Sequence, residues 1–358
     1  YNLTELTWKI FRPTIKVSSY NIHDLSSRKL KKMGRETTQF MDSAEEQYLA
    51  PAYDEIDELK TSKEKVEFKT QIVWRNIGLF AILHAGALVG FYQLLFFAKW
   101  LTAFWTILYS MIGGMGVTAG AHRLWTHKSY KANLFVRIAL MLCNCAAFQN
   151  DIIDWSRDHR CHHKWNDSHA DPYNSQRGFF FSHMGWLLVR KHPDLKRKGA
   201  TIDMSDLLND KVLMFQRRYY LLLVPIFCFL VPAVIPVYLW RETPFIAFMT
   251  CSMFRYCFTL HDTWLINSAA HKWGFKPYDE EISAVDSYVL AAITMGEGGH
   301  NFHHVFPQDY RTSEYVNEYN ISKLVIDAFA FFGWVYDRKV VSNEAIERQK
   351  ARRNKKLH

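Results

Sequence analysis

The sequence predicts an all-α integral membrane protein: four transmembrane helices in two hairpins, with a cytosolic helical cap that carries a metal site. Three observations predict it. Four apolar runs sit among long charged stretches. Lys and Arg are scarce in the turns that join the runs and frequent on either side of each pair. Nine of the sixteen histidines fall in four short clusters, two after the second run and two after the fourth.

The first run covers residues 77–97 and the second 101–121, parted by Lys99 and Trp100. At 1.5 Å per residue each can cross about 30 Å of hydrocarbon. So short a turn makes a helical hairpin. The third run, 221–240, contains Pro225, Pro232 and Pro236. These kink it, which membrane helices tolerate. Arg241 and Glu242 form the next turn, and the fourth run covers about 244–260 with Arg255 near its end. Residues 133–149, with Arg137 inside, and residues 179–189 read as interfacial helices.

Orientation follows from the cations. The turns hold little more than Lys99 and Arg241. Lys60, Lys63, Lys65, Lys69 and Arg75 precede the first span, and Arg123, Lys128, Lys131 and Arg137 follow the second. The positive-inside rule puts both termini and residues 122–220 in the cytosol. The expected organisation is a polar cytosolic arm (1–71), a membrane unit (72–338) and a basic cytosolic tail (339–358). Lys355 and Lys356 resemble a dilysine retrieval signal of the endoplasmic reticulum.

Composition narrows the function. Charged residues make up 22% and apolar residues 49%, which excludes disordered and fibrous classes. Lys and Arg number 44 against 35 Asp and Glu, a net +9. That favours an anionic partner: a phosphate-bearing substrate, an acidic lipid surface or an acidic protein. There is no zinc-finger, helix-turn-helix or RRM pattern, so no nucleic acid is expected. The six cysteines form no CxxC and read as reduced.

The clusters carry the chemistry. They are His122 with His127; His159, His162 and His163; Asn267 with His271; and His300, His303 and His304. Spacing i, i+3, i+4 puts three imidazoles on one helical face. The five-residue spacing of His122 and His127 suits an α-helix poorly, so the two are expected to serve different metals or to sit at a helix end. Two further crossings separate the first two clusters from the last two. All four therefore meet on one membrane face. Nine imidazoles are too many for one ion and about right for two. Ligand type leaves iron, zinc, copper and nickel open. Glu297, three residues before His300, is a candidate acid behind the ligands. The isolated His23, His84, His169, His183, His192, His261 and His358 read as ordinary polar residues. A histidine-rich metal transporter or sensor is the rival class, but its ligands would lie within the spans.

The strings GAHRLWTH (120–127), DWSRDHRCHHKW (154–165), RGFFFSHMGWLLVRKHP (177–193), TWLINSAAH (263–271) and GEGGHNFHHVFPQDYRTSEY (296–315) resemble the membrane acyl-CoA Δ9 desaturases, the stearoyl-CoA desaturase family, and most closely its nematode members. The resemblance spans about residues 72–338. It implies O2-dependent insertion of a cis double bond between carbons 9 and 10 of a saturated fatty acyl-CoA, stearoyl-CoA or palmitoyl-CoA. It implies two irons held by His122, His127, His159, His162, His163, His271, His300, His303 and His304, with Asn267 at the position that holds a metal-bound water. Breaking an unactivated C–H bond needs a redox-active metal, so zinc would be only a substitute in an expressed sample. Cytochrome b5 and its NADH-dependent reductase would supply electrons, and the endoplasmic reticulum membrane is the expected compartment. Another membrane diiron desaturase or hydroxylase is the nearest alternative.

By the same resemblance Arg75, Asn76, Arg157, Asp158, Arg190 and Lys191 would bind CoA. Gln149, Asn150, Trp155, Thr263 and Trp264 would line the acyl tunnel near the thioester and its bend. Ser110 and Gly114, one helical turn apart, would close the tunnel. Mammalian members carry Tyr where Ser110 stands, so the smaller residue implies room for an 18-carbon chain or longer.

Overall fold

The computed structural model describes residues 38–41, 53–61, 69–315 and 319–356. Most of the arm therefore lies outside the described residues, as do His23, His358 and the side chain of Lys356.

The described chain is mostly helical. Three helices are long and apolar enough to cross a membrane: α2 (Trp74–Phe96), α3 (Trp100–Thr126) and α6 (Lys211–Trp240). α6 begins ten residues earlier than the apolar run at 221, because an amphipathic stretch with Gln216 buried leads into it. Helices α4 (Leu134–Ala147) and α5 (Ile152–Lys164) meet at an angle of 81°, and taken as one bent span they too are long and apolar enough to cross a membrane. The stretch expected to be interfacial thus turns one buried face, with Val136, Leu140 and Met141, onto the core.

The fourth run forms part of one helix, α7 (residues 244–268). Arg255 stands in its interior rather than near its end. Its guanidinium is fully buried and donates to the carbonyls of Cys251 (3.0 Å), Ala146 (2.8 Å) and Cys228 (2.6 Å). Carbonyls satisfy the donors, so the cation is tolerated inside the bundle. The polar content of α7 keeps it out of the set apolar enough to qualify by composition.

Three segments widen from the α to the π pattern: 116–126 in α3, 225–230 in α6 and 248–254 in α7. The second begins at Pro225, which has no N–H to give to the α ladder. Helix α3 approaches α4 closely at Gly116, where any Cβ would run into the Asn144 backbone.

Short pieces of the arm and tail pack onto this body. Strand β1 (Thr38–Met41) pairs in parallel with β4 (Arg338–Val341). β2 (Lys131–Ala132) pairs with β3 (Val335–Tyr336) in antiparallel fashion. Helix α1 (Tyr53–Thr61) packs Ile56 and Leu59 against Cys161, Trp165 and Leu195. Trp165 Nε1–H donates to Glu55 Oε2 at 2.8 Å, and Lys198 pairs with the same carboxylate. Residues 71–73 pair with 188–190, which ties the start of α2 to the loop after the short helix at 179–183.

Candidate metal centre and adjoining cavity

The nine histidines come together in two adjoining buried groups. His122, His127, His159, His163 and His303 form one; His162, His271, His300 and His304 form the other. Within each group the ligand atoms lie within 4.8 Å of one another.

His122 and His127 share a group instead of serving different metals, and the π turn is the reason. The His127 N–H donates to the His122 carbonyl five residues back, at 3.1 Å. A five-residue turn puts both side chains on one face, and their rings lie 4.8 Å apart.

The two three-histidine motifs each divide between the groups. At about 100° per residue, i and i+4 are about 40° apart and i+3 lies on the other side of i. His159 and His163 enter the first group while His162 enters the second. On α8 (His300–Val305) the pattern is reversed: His300 and His304 enter the second and His303 the first. Asp151 caps α5 by accepting from the Asp154 N–H at 3.0 Å. α8 starts after a glycine-rich turn in which Gly296 has φ +100°.

Outer contacts orient the rings. His162 Nδ1 is 2.9 Å from Asp171 Oδ1, His271 Nδ1 is 2.7 Å from Ser283 Oγ, and His122 Nδ1 is 3.2 Å from Glu297 Oε2. A proton held on Nδ1 toward a carboxylate leaves Nε2 with a lone pair aimed inward. Nε2 atoms then face one another: His122 with His303 at 2.8 Å, His163 with His159 at 3.1 Å, His271 with His300 at 3.0 Å. Among the described residues, neither nitrogen of buried His127 has a hydrogen-bond partner. Converging imidazole lone pairs and a buried ring without a partner fit divalent metal ions.

Electrostatics agree. Burial lowers His271 to about 3, with His162 adding to the effect. Burial likewise holds His300, His303 and His304 well below the ordinary imidazole value. Burial alone would raise the Glu297 carboxyl, but Arg123 and His122 outweigh it and bring it to about 2. Glu297 is thus an anion pinned between His122 and fully buried Arg123, whose Nη2 lies 2.5 Å away. Asp171 and Ser283 escape sequence reasoning, because nothing in their spacing ties them to a histidine; Arg123 is next to His122, but adjacency does not show that it reaches Glu297.

A cavity of about 510 Å³ lies one ring away from each group: its lining includes Trp155, against His159, and Tyr173, whose ring is 5.2 Å from that of His162. Of the expected substrate residues, Arg75, Asn76, Gln149, Asn150, Trp155, Asp158, Thr263 and Trp264 line it. Asn267 lines it too. Gln149 Nε2 donates to Thr263 Oγ1 at 2.8 Å. Trp155 stacks on His159 at 4.8 Å. Arg157 is not on the wall; it pairs with Asp154 at 3.0 Å and reaches Asp158 at 3.4 Å. Lys191 forms an ion pair with Asp158. Arg190 and Lys191 border a water-sized cavity of about 20 Å³ nearby. Neither Ser110 nor Gly114 lines the large cavity. Ser110 Oγ donates to the Thr106 carbonyl at 3.0 Å, and a Cβ at Gly114 would meet Met295 Sδ at 2.8 Å. The apolar wall includes Phe229, Met253, Tyr256 and Leu260, and Trp186, which lies in the 177–193 string but is not singled out there, joins it.

Known proteins share this arrangement of sequence. The fatty acid desaturase family model matches residues 98–336. The chain is 59% identical to Delta(9)-fatty-acid desaturase fat-6 of Caenorhabditis elegans, over 85% of this chain and 90% of that one. It is 52% identical to an acyl-CoA Delta-9 desaturase of Acheta domesticus, over 82% of each. It is 49% identical to stearoyl-CoA desaturase of Homo sapiens, over 82% and 81%. The matched region holds all nine clustered histidines and the helices that carry them, and the chain belongs to the fatty acid desaturase family.

Proposed function

We propose that this protein is an acyl-CoA Δ9 desaturase. It inserts a cis double bond between carbons 9 and 10 of a saturated fatty acyl-CoA, using O2 and two electrons. The observation that carries the reading is Trp155, which lines the cavity and stacks on His159 of the first histidine group. A chain lying in the cavity passes Trp155, one ring away from the imidazoles.

Two iron ions fit the two groups, and they supply the oxidising chemistry. The nine histidines hold them, and Asn267 stands one turn before His271, facing the cavity. Glu297, Asp171 and Ser283 keep the ring protons on the outer nitrogens. Arg75 and Asn76 at the start of α2, with Lys191 and Arg190 behind Asp158, take the phosphates of CoA. Gln149, Thr263 and Trp264 hold the chain where it passes the metals. The apolar wall excludes water from the reacting carbons.

α2 with α3 and α6 with α7 form two hairpins inserted from the cytosolic side, with both termini cytosolic and the endoplasmic reticulum as the compartment. Cytochrome b5 and its NADH-dependent reductase deliver the electrons to a basic cytosolic face. Ser110 sets chain length together with Gly114 as α3 passes the closed end.

The test is expression in a yeast lacking its own Δ9 desaturase, beside His162→Ala. Mass spectrometry with double-bond localisation reads the products. New Δ9 monoenes, absent with the variant, support the proposal. Hydroxylated chains or a bond at another carbon would move it to a sister reaction of the family. Metal bound without any acyl product would overturn it.

A further inference from the structure

His84, Cys257 and His261 form a third converging group, apart from the nine-histidine centre. Each offers one ligand atom, and these atoms lie within 4.8 Å of one another. His84 is in the interior of α2. Cys257 and His261 are one turn apart on α7 and share a face.

Hydrogen bonds determine the tautomers. His84 Nδ1 is 2.7 Å from the Phe80 carbonyl, which can only accept. The proton is therefore on Nδ1, and Nε2 carries a lone pair. Ser268 Oγ–H donates to the Trp264 carbonyl at 2.8 Å. Its contact with His183 Nδ1, at 2.9 Å, is then donated by the imidazole. His183 Nε2 is left as an acceptor, and His261 Nδ1–H donates to it at 2.9 Å. That leaves a lone pair on His261 Nε2 as well. The two bare Nε2 atoms face each other at 3.1 Å. Two lone pairs at that distance repel unless a cation lies between them. The same approach recurs in the nine-histidine centre, where His159 and His163 meet at 3.1 Å.

We propose that this group binds one cuprous ion through His84 Nε2, His261 Nε2 and Cys257 Sγ. Thiolate favours soft ions, of which Cu(I) and Zn²⁺ are the common ones. Charge decides between them. One thiolate and two neutral imidazoles carry one negative charge, so Cu(I) makes a neutral site. Zn²⁺ would leave a net positive charge in apolar surroundings, which is costly. Structural zinc also takes four protein ligands. Among the described residues no fourth His, Cys, Asp or Glu joins this group. Binding displaces the Cys257 thiol proton and changes no oxidation state. The ion joins α2 to α7 beside the large cavity, since Phe80, Leu83 and Leu260 flank its ligands and line that wall.

The proposal stands independently of the desaturase reading, and so does its test. The full chain, purified in detergent with its iron in place, is titrated anaerobically with Cu(I) against bicinchoninate. A parallel titration uses Zn²⁺, and copper K-edge X-ray absorption reads the ligands. The expected result is one copper per chain with a sulfur neighbour, held more tightly than zinc. Sulfur scattering disappears in Cys257→Ala, and the bound copper is lost in His261→Asn. Circular dichroism checks that each variant folds, and His84→Gln replaces either one that does not. Unchanged copper binding and sulfur signal in the variants would overturn the site. So would tighter zinc, or no copper in the parent, which would leave a shared proton between the two imidazoles.

Discussion

His162 and His303 stand at the same place in two motifs of identical spacing, and each crosses to the group that holds the other motif's i, i+4 pair. The groups are therefore interlocked: α5 and α8 each feed both. Losing one crossing histidine leaves unequal remainders. His162→Ala leaves three imidazoles in its group, and His303→Ala leaves four. Both variants are expected to lose desaturation. Iron per chain, measured by plasma mass spectrometry, should fall further with His162→Ala. Equal losses would mean that the groups do not bind separately.

Glu297 holds the Nδ1 side of His122 while Arg123 holds Glu297. Glu297→Gln keeps the shape and removes the charge. Outer partners of metal ligands typically contribute about 10–100-fold in affinity or activity. Iron retention against a chelator should drop by that order, with helicity unchanged. Asp171→Asn, acting on His162, should behave alike.

Acid should destabilise the metal-free protein. Buried His271, His300, His303 and His304 have depressed pKa values, His271 at about 3 against an ordinary 6.5. Below 6.5 the unfolded chain takes up protons that the folded chain refuses. Stability is therefore full above 6.5 and falls as pH drops toward the folded values. Asp262 and Asp286 work the other way, because burial raises each carboxyl to about 7. Two carboxyls against seven lowered imidazoles, with His127, His159 and His163 added, leave the acid loss dominant. Thermal melts of stripped protein in detergent should fall between about pH 7 and about pH 5. A flat or rising midpoint would contradict this.

Trp186 Nε1 is buried without a partner among the described residues, and its side chain lines the large cavity. It is suited to donate to a carbonyl of the bound substrate. Trp186→Phe keeps the ring and removes the donor. A net hydrogen bond is worth about 0.5–1.5 kcal/mol, so KM for acyl-CoA should rise about twofold to thirteenfold. Steady-state kinetics with kcat little changed would agree with that role.

Chain length offers a sharper contrast. Met253 lies on the apolar wall of the cavity, whereas Ser110 does not. Met253→Ala should admit longer saturated chains, and Ser110→Tyr should favour shorter ones. Gas chromatography of the products from both variants separates the two walls as determinants.

Much of the site is legible in the sequence, because histidine clusters near span ends leave few places to go. Their partition is not. The π turn that unites His122 with His127 depends on packing of α3 against α4 at Gly116, and periodicity cannot report it. The span positions of α2 and α3 follow from apolar runs. The bend between α4 and α5 does not, since Arg137 makes that stretch look interfacial. His84, His183 and His261 each look like isolated polar residues, because the contacts that join them are tertiary. Only the i, i+4 spacing of Cys257 and His261 was there to be noticed.

The pairing of β1 with β4 puts Met41 and Val341 in one cluster with Phe302 and Phe306, on the far side of the helix that presents His300, His303 and His304. Residues 38–41 and 338–341 are thus the backing plate of the helix that carries these histidines. A substitution in either strand alters the foundation under the imidazoles, although neither strand lines the large cavity.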